Sequence, residues 1–216
     1  MAKLRLGVLI SGRGSNLQAL IEATGDPAFP AEIVLVISNR EDAAGLDRAA
    51  AASIATRIIP HGQFSGRDAF DAALDETLRD AGVELICLAG FMRLLTKQFV
   101  ENWRDRLINI HPSLLPAFKG LTPHADALAA GVRLSGCTVH YVRPEMDAGP
   151  IILQAAVPVM GSDTAETLAA RILQAEHACY PLAVRMIGEG RIKIVGERVI
   201  VAGEKAPDAP LLNPLA

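Results

Sequence analysis

Asn109, His111 and Asp147 are the residues of this sequence whose types can do chemistry as a group. An amide donor, an imidazole and a carboxylate can stabilise an oxyanion and move protons near neutral pH. Asn109 and His111 lie two apart in Asn109-Ile110-His111-Pro112-Ser113, so on a strand both side chains leave on the same side. Asp147 lies in Glu145-Met146-Asp147-Ala148-Gly149-Pro150, between two strand-like runs. Taken singly, each also has a plainer explanation, a structural histidine or a turn aspartate. A second candidate is the glycine loop Ser11-Gly12-Arg13-Gly14-Ser15-Asn16. A loop that leaves a strand and opens a helix presents free N–H groups to an anion, and Ser15 and Asn16 add side-chain donors. No Gly-Lys-Ser/Thr ends it, and Leu17 stands where a dinucleotide fingerprint has its third glycine. Phosphate binding and a simple tight turn are its two readings. No metal centre is expected: His111, His124 and His140 share no helical spacing, and no cysteine cluster supports them. Ser113 lacks the strained elbow of a serine nucleophile.

The elements that must position these residues alternate in type. Leu4–Ile10, mostly apolar, and Ile33–Ile37, wholly so, predict strands, the latter buried on both faces. Ile54–Ile59, Val83–Leu88 and Leu107–Ile110 predict three more strands. Leu17–Ala23 and Ala43–Ser53 predict helices, and Asp68 is expected to cap a third that carries Phe70, Leu74, Leu78 and Ala81 inward. This order argues for an α/β fold, a mostly parallel sheet with helices on both faces. Ligands bind such sheets at the carboxyl ends of their strands, where the glycine loop and Asn109-Ile110-His111 fall. After residue 111 the character changes. A long proline-rich loop, 111–123, precedes a short helix over Pro123–Ala130. Strands follow over Ser135–Val142 and Ile151–Val159. Asp163 and Glu166 resemble a capping box for a long helix with Leu168, Ile172, Ala175, Cys179, Leu182 and Met186 on its apolar face. Pro181 predicts a kink there. A hairpin turns at Gly196-Glu197, and the tail 204–216 is expected to be poorly ordered.

The totals exclude several function classes. Of 216 residues, 50% are hydrophobic and 21% charged, which fits a soluble globule of one domain spanning about 1–203. A net charge of −3 gives no reason to expect nucleic acid as a partner. No apolar run approaches membrane-spanning length, and the apolar start ends at Ile10, too early for a secretory signal. Three scattered cysteines imply no disulfide framework, so a cytoplasmic location is expected.

Several runs together resemble the glycinamide ribonucleotide formyltransferases, from about residue 4 to residue 195. They are Ser11 to Gln18, Leu88-Ala89-Gly90-Phe91-Met92-Arg93, Asn109 to Pro116, and Asp147-Ala148-Gly149-Pro150-Ile151-Ile152. Gln174-Ala175-Glu176-His177 followed by Tyr180-Pro181 also fits. The run from Asn109 is shared by the wider formyltetrahydrofolate-using superfamily; the glycine loop and the Glu176 segment point to its nucleotide-accepting members. The resemblance implies a Rossmann-like formyltransferase fold with a phosphate-binding half, about 1–110, and a folate and catalytic half, about 111–203. It implies 10-formyltetrahydrofolate as co-substrate and direct formyl transfer to the amine of glycinamide ribonucleotide, with no metal, by a monomer or homodimer. Asn109, His111 and Asp147 would be catalytic. Gly14, Ser15 and Asn16 would hold the phosphate, and Leu173, Gln174, Ala175 and Glu176 the ribonucleotide. Arg67, Met92, Arg93, Leu94, Leu95, Asn109 and the loop Arg143, Pro144, Glu145, Met146 and Asp147 would contact the folate. The chain departs from the common pattern at Thr122-Pro123, where a His-Thr pair is frequent. The rivals are a formyltetrahydrofolate hydrolase, a methionyl-tRNA formyltransferase and a binding module without catalysis. The first usually carries an extra N-terminal domain and the second a basic C-terminal one.

Overall fold

The computed structural model describes residues 2–205 and 208–214. The remaining positions of the predicted tail, 206–207 and 215–216, lie outside the described residues. Contacts divide the chain into two compact units, 1–109 with 141–144, and 110–140 with 145–216.

The first unit is built on β1 (Leu4–Ile10), β2 (Ala31–Ser38), β3 (Thr56–Ile58), β4 (Leu85–Leu88) and β5 (Leu107–His111), the last running on into the second unit. Their order is β3-β2-β1-β4-β5, and every pair is parallel. The order reverses between β1 and β4, so the loops leaving these two strands share the switch point, where open α/β sheets bind ligands. Helices α1 (Ser15–Thr24), α2 (Gly45–Ala51), α3 (Arg67–Asp80) and α4 (Lys97–Asn102) cover both faces. A side chain at Gly7 would strike Leu78 of α3, whereas one at Gly45 of α2 would strike Ile10. Odd and even positions of β1 therefore meet different helices, which is why the strand is apolar from Leu6 to Ile10. On the α3 side, Leu9, Leu35, Ile37, Ile86 and Leu107 close on Phe70, Leu74, Leu78, Phe99 and Trp103. Burying each such side chain is worth about 1.5–3 kcal/mol.

Two details differ from expectation. The residue capping α3 is Gly66, not Asp68, which sits in the first turn and favours the helix only through its charge. The sequence reading also passed over α4. Thr96 opens it, its hydroxyl accepting from the Phe99 N–H at 3.3 Å. Just past α4, Trp103 lies between the guanidinium groups of Arg79 and Arg106, at 5.3 and 4.6 Å. Its Nε1 donates to Asp75 Oδ1 at 2.6 Å.

The second unit carries α5 (Pro123–Ala129), β6 (Leu134–Tyr141), β7 (Ile151–Pro158), α6 (Ala165–Gly188) and the hairpin β8 (Ile192–Val195) to β9 (Arg198–Val201). β6 and β7 are antiparallel. Gly136 admits no side chain, because a Cβ there would overlap the Ala155 carbonyl on β7. The 24-residue α6 runs unbroken through Pro181 and buries Leu168, Ile172, Glu176, Cys179, Ala183 and Met186. Leu182, expected inward, is 45% exposed. At about 100° per residue it lies about 80° from Ile172, whereas Glu176, Cys179 and Ala183 lie within about 40°. The capping box is also shifted by one residue. Thr164 and Thr167 form it, and Asp163 instead takes both prongs of Arg171, at 2.7 and 2.8 Å, plus the Met160 N–H at 2.7 Å. The Arg171 bonds, then the Met160 amide, hold the Asp163 carboxyl well below the usual carboxylate range. In the tail, the Asn213 side chain donates to the Arg133 and Val159 carbonyls.

Candidate active site

The glycine loop leaves β1 at Ile10 and ends on Gly14, the N-cap of α1, at φ 67°. That left-handed value favours glycine. A Cβ there would also come within 2.7 Å of the Gly45 backbone, whose N–H donates to Gly12. Arg48 fastens the loop from α2, donating to the Arg13 carbonyl at 2.9 Å and to Gln18 at 3.3 Å. With no side-chain cap, the first N–H groups of α1 are not taken by a cap residue, the arrangement that receives anions. Asn16 is buried and Ser15 half-buried.

The turn after β4 is stitched to this loop through Ser11. Its N–H donates to the Gly90 carbonyl at 3.2 Å, and its hydroxyl accepts from the Met92 N–H at 2.8 Å. Met92 and Leu94 stand 73% and 62% exposed. The Arg93 guanidinium lies 4.5 Å over the Phe70 ring, and Leu95 packs on the core. Arg67, first residue of α3, is exposed. Arg143 does not present its side chain to a ligand. It is buried, with Nη2 on Asp105 Oδ1 at 2.9 Å, so its backbone is what remains for contact. Beside it, burial and the Asp105 charge push the Tyr141 hydroxyl up to about 12. A groove of about 700 Å³ lies elsewhere on this unit, lined by Asp71, Asp75, Glu76, Thr96 and Phe99 among others; none of the residues expected to bind ligand lines it.

At the end of β5, His111 is buried with Nδ1 3.5 Å from Asp147 Oδ1. Its Nε2 lies 2.9 Å from the Phe118 carbonyl. A carbonyl only accepts, so Nε2 carries the hydrogen, and Nδ1 faces the carboxylate. A second proton on Nδ1 makes that contact charge-assisted. Asp147 Oδ2 accepts from the Gly120 N–H at 2.7 Å. Asp147 and Phe118 both adopt the left-handed region, at φ 47° and 53°, strain of about 1–3 kcal/mol each that sites of chemistry often carry. Half-buried His124 is shifted down, by burial and then by its neighbour His111, which favours the neutral ring. Asn109, two residues before His111, is half-buried. Glu145 and Met146 are exposed on the loop that ends in Asp147.

On α6, only Glu176 of the four expected residues is buried; Leu173 and Ala175 are half-buried and Gln174 is exposed. The Cys179 contact first, then burial, and last the Glu176 charge hold the Cys137 thiol well above its usual range. By unit, the first carries Gly14–Asn16, Arg67, Met92–Leu95, Asn109, Arg143 and Pro144, and the second His111, Glu145–Asp147 and Leu173–Glu176. Sequence reasoning missed Ser11, Arg48, Phe118 and Gly120, which act through contacts distant in the chain or through backbone groups that no residue type advertises. Among the described residues, no group of three or more His, Cys, Asp or Glu could hold a metal ion. Among them too, no helix is long and apolar enough to cross a membrane.

The family model described as Formyl transferase matches residues 4–184. The chain is 52% identical over 192 residues to the trifunctional purine biosynthetic protein adenosine-3 of Bos taurus, covering 89% of this chain but 19% of that protein. It thus spans about a fifth of the length of that relative. It is 42% identical to the phosphoribosylglycinamide formyltransferase of Escherichia coli strain K12, covering 94% of this chain and 96% of that one. The glycinamide ribonucleotide transformylase 1 of Symbiobacterium toebii superposes with a TM-score of 0.90 at 49% identity, covering 93% and 94% of the two chains.

Proposed function

Because the chain belongs to the formyl transferase family, we propose that it is a phosphoribosylglycinamide formyltransferase of de novo purine biosynthesis. It transfers the formyl group of 10-formyltetrahydrofolate to the amine of N1-(5-phospho-D-ribosyl)glycinamide, releasing formylglycinamide ribonucleotide and tetrahydrofolate. The observation that carries this reading is the buried His111–Asp147 pair at the end of β5, with Asn109 two residues before it.

The amine attacks the formyl carbon, and the carbonyl electrons move onto oxygen. The Asn109 amide donates to that oxyanion, the kind of donor worth about 10²–10³ in rate, and the His111 ring, with Nε2 on the Phe118 carbonyl, adds positive charge once protonated beside Asp147. The C–N10 bond then breaks, and a proton travels from the new ammonium to N10 by way of the His111–Asp147 pair. The neutral amine is already a good nucleophile, so positioning carries much of the remainder. Gly14, Ser15 and Asn16 receive the phosphate at the start of α1. Glu176, with the turn from Leu173 before it, offers carboxylate oxygens to the ribose hydroxyls. Exposed Met92 and Leu94 suit the flat ring of the folate, and Arg67 suits its carboxylates. The loop 143–147 adds backbone groups. Three buried cysteines, none in a disulfide, fit the reducing cytoplasm.

The test is to mix the protein with 10-formyltetrahydrofolate, with and without the ribonucleotide, and follow deformylation by absorbance. Deformylation that requires the ribonucleotide, with a formylated product, is the expected result. Equal rates without it would make the protein a hydrolase.

A further inference from the structure

Three buried polar side chains outside the residues assigned above converge on the segment Met92–Leu95. Ser11 holds its start twice, through its own N–H to the Gly90 carbonyl and through its hydroxyl, which accepts the Met92 N–H at 2.8 Å. The hydroxyl proton goes to Asn39 Oδ1 at 2.6 Å. A serine has one such proton, so Asn39 turns the lone pairs of Ser11 toward Met92. Asn39 is itself 3% exposed, with its carbonyl 3.2 Å from His61 Nδ1. At the far end, Asp71 of α3 accepts the Thr96 N–H at 2.6 Å and is 4% exposed. Between these clamps the backbone is held while Met92 and Leu94 stay in solvent. Apolar side chains kept exposed on a fastened backbone are a surface organised before its ligand arrives, and such a surface loses little conformational freedom on binding.

We propose that Ser11, oriented by Asn39, and Asp71 are positioning residues that hold Met92–Leu95 in the shape that binds the folate co-substrate. The proposal rests on the reading of this segment as folate-contacting. Ser11 acts through the backbone at the start of the segment, Asn39 by way of Ser11, and Asp71 through the Thr96 amide that follows its end.

The experiment measures binding of tetrahydrofolate and of glycinamide ribonucleotide separately by calorimetry, with steady-state kinetics, for Ser11→Ala, Asp71→Ala, Asp71→Asn and Leu94→Ala. Ser11→Ala leaves the Met92 amide without its acceptor, so tetrahydrofolate should bind about 5- to 100-fold more weakly. Ribonucleotide binding should stay within about twofold, and the KM for the folate should rise more than kcat falls. Asp71→Asn keeps a side-chain carbonyl for Thr96 and should restore folate binding that Asp71→Ala loses. If Leu94→Ala weakens tetrahydrofolate while Ser11→Ala and Asp71→Ala do not, the clamps are irrelevant and the proposal fails. If Leu94→Ala leaves tetrahydrofolate binding unchanged, the segment is not a folate surface, and the underlying reading fails with it. Should Ser11→Ala lose both ligands and its thermal transition, the Asp71 pair of variants decides the question alone.

Discussion

The glycine loop and the His111–Asp147 pair both stand at strand ends, yet they are held in opposite ways. The loop is local: six consecutive residues that leave β1 and enter α1, seated by the close approach of Gly14 to Gly45. The pair joins residues 36 positions apart, and what fixes it is irregular backbone, Phe118 on one ring nitrogen and Gly120 on the carboxylate. An anion cradle needs only N–H groups in the right place, which one turn can supply. Proton transfer needs two side chains aligned, and here that alignment draws on two residues held in the left-handed region. The loop should therefore be sensitive to volume, and the pair to chemistry.

The largest effect should come from the pair. His111→Ala and Asp147→Asn are each expected to lower kcat by about 10²–10⁴, while ligand binding and the thermal transition survive. Asn at 147 can still accept from Gly120, so the loop should hold its shape. Because the two act as one unit, the double variant should be little worse than the worse single variant. Multiplying effects in single-turnover kinetics would show that they act independently. Gly14→Ala sharpens the contrast from the other side. A Cβ at positive φ and against Gly45 should cost about 2–4 kcal/mol, lowering Tm by roughly 5–15 °C. Both ligands should then suffer with the fold. Ser15→Ala, which adds no atoms, should instead weaken the ribonucleotide alone, by about 5- to 10-fold. A Gly14→Ala protein with wild-type Tm would mean that the loop is roomier than its contacts imply.

Asp163→Asn should lower Tm by a few degrees at neutral pH. The folded carboxyl is held below its unfolded value of about 3.9. Its stabilisation is thus present above about pH 5 and lost as pH falls through the folded value. The gap between the melting curves of the two proteins should narrow steadily as pH falls below about 4; a gap that stays constant would assign the loss to packing rather than charge. The smallest effect should be none at all: chelators are expected to leave activity unchanged, and loss of activity restored by added zinc would overturn the mechanism.

How much of this was legible follows from the same contrast. β1 and β2 were readable because a strand buried on both faces needs an apolar stretch, here Leu6–Ile10 and Ile33–Ile37. Gly14 was singled out because it stands in a loop between a strand and a helix, and its φ of 67° is one that glycine favours; His111 and Asp147 were paired through the resemblance, and the structure brings them to 3.5 Å. The six-residue α4 was not, since its apolar face is little more than Phe99 and Val100. The cap of α6 was misplaced by one residue because Asp163, Thr164, Glu166 and Thr167 can all serve, and only the tertiary partner Arg171 decides among them. Ser11, Asn39 and Asp71 were missed because their partners lie between 25 and 81 residues away. No local pattern encodes such a bond.

Trp103 is the single tryptophan of the chain, and it belongs to the first unit. Buried, bonded to a carboxylate and flanked by two guanidinium groups, it is a built-in optical gauge of that unit alone. Its emission should sit to the blue while the unit is folded and move to the red when water reaches the indole. Far-ultraviolet circular dichroism, by contrast, reads the helices of both units, α1 to α4 in the first and α5 and α6 in the second. Recording the two signals along one denaturant titration therefore asks, without any label, whether the half that carries the glycine loop and the half that carries His111 and Asp147 melt in one step or in two.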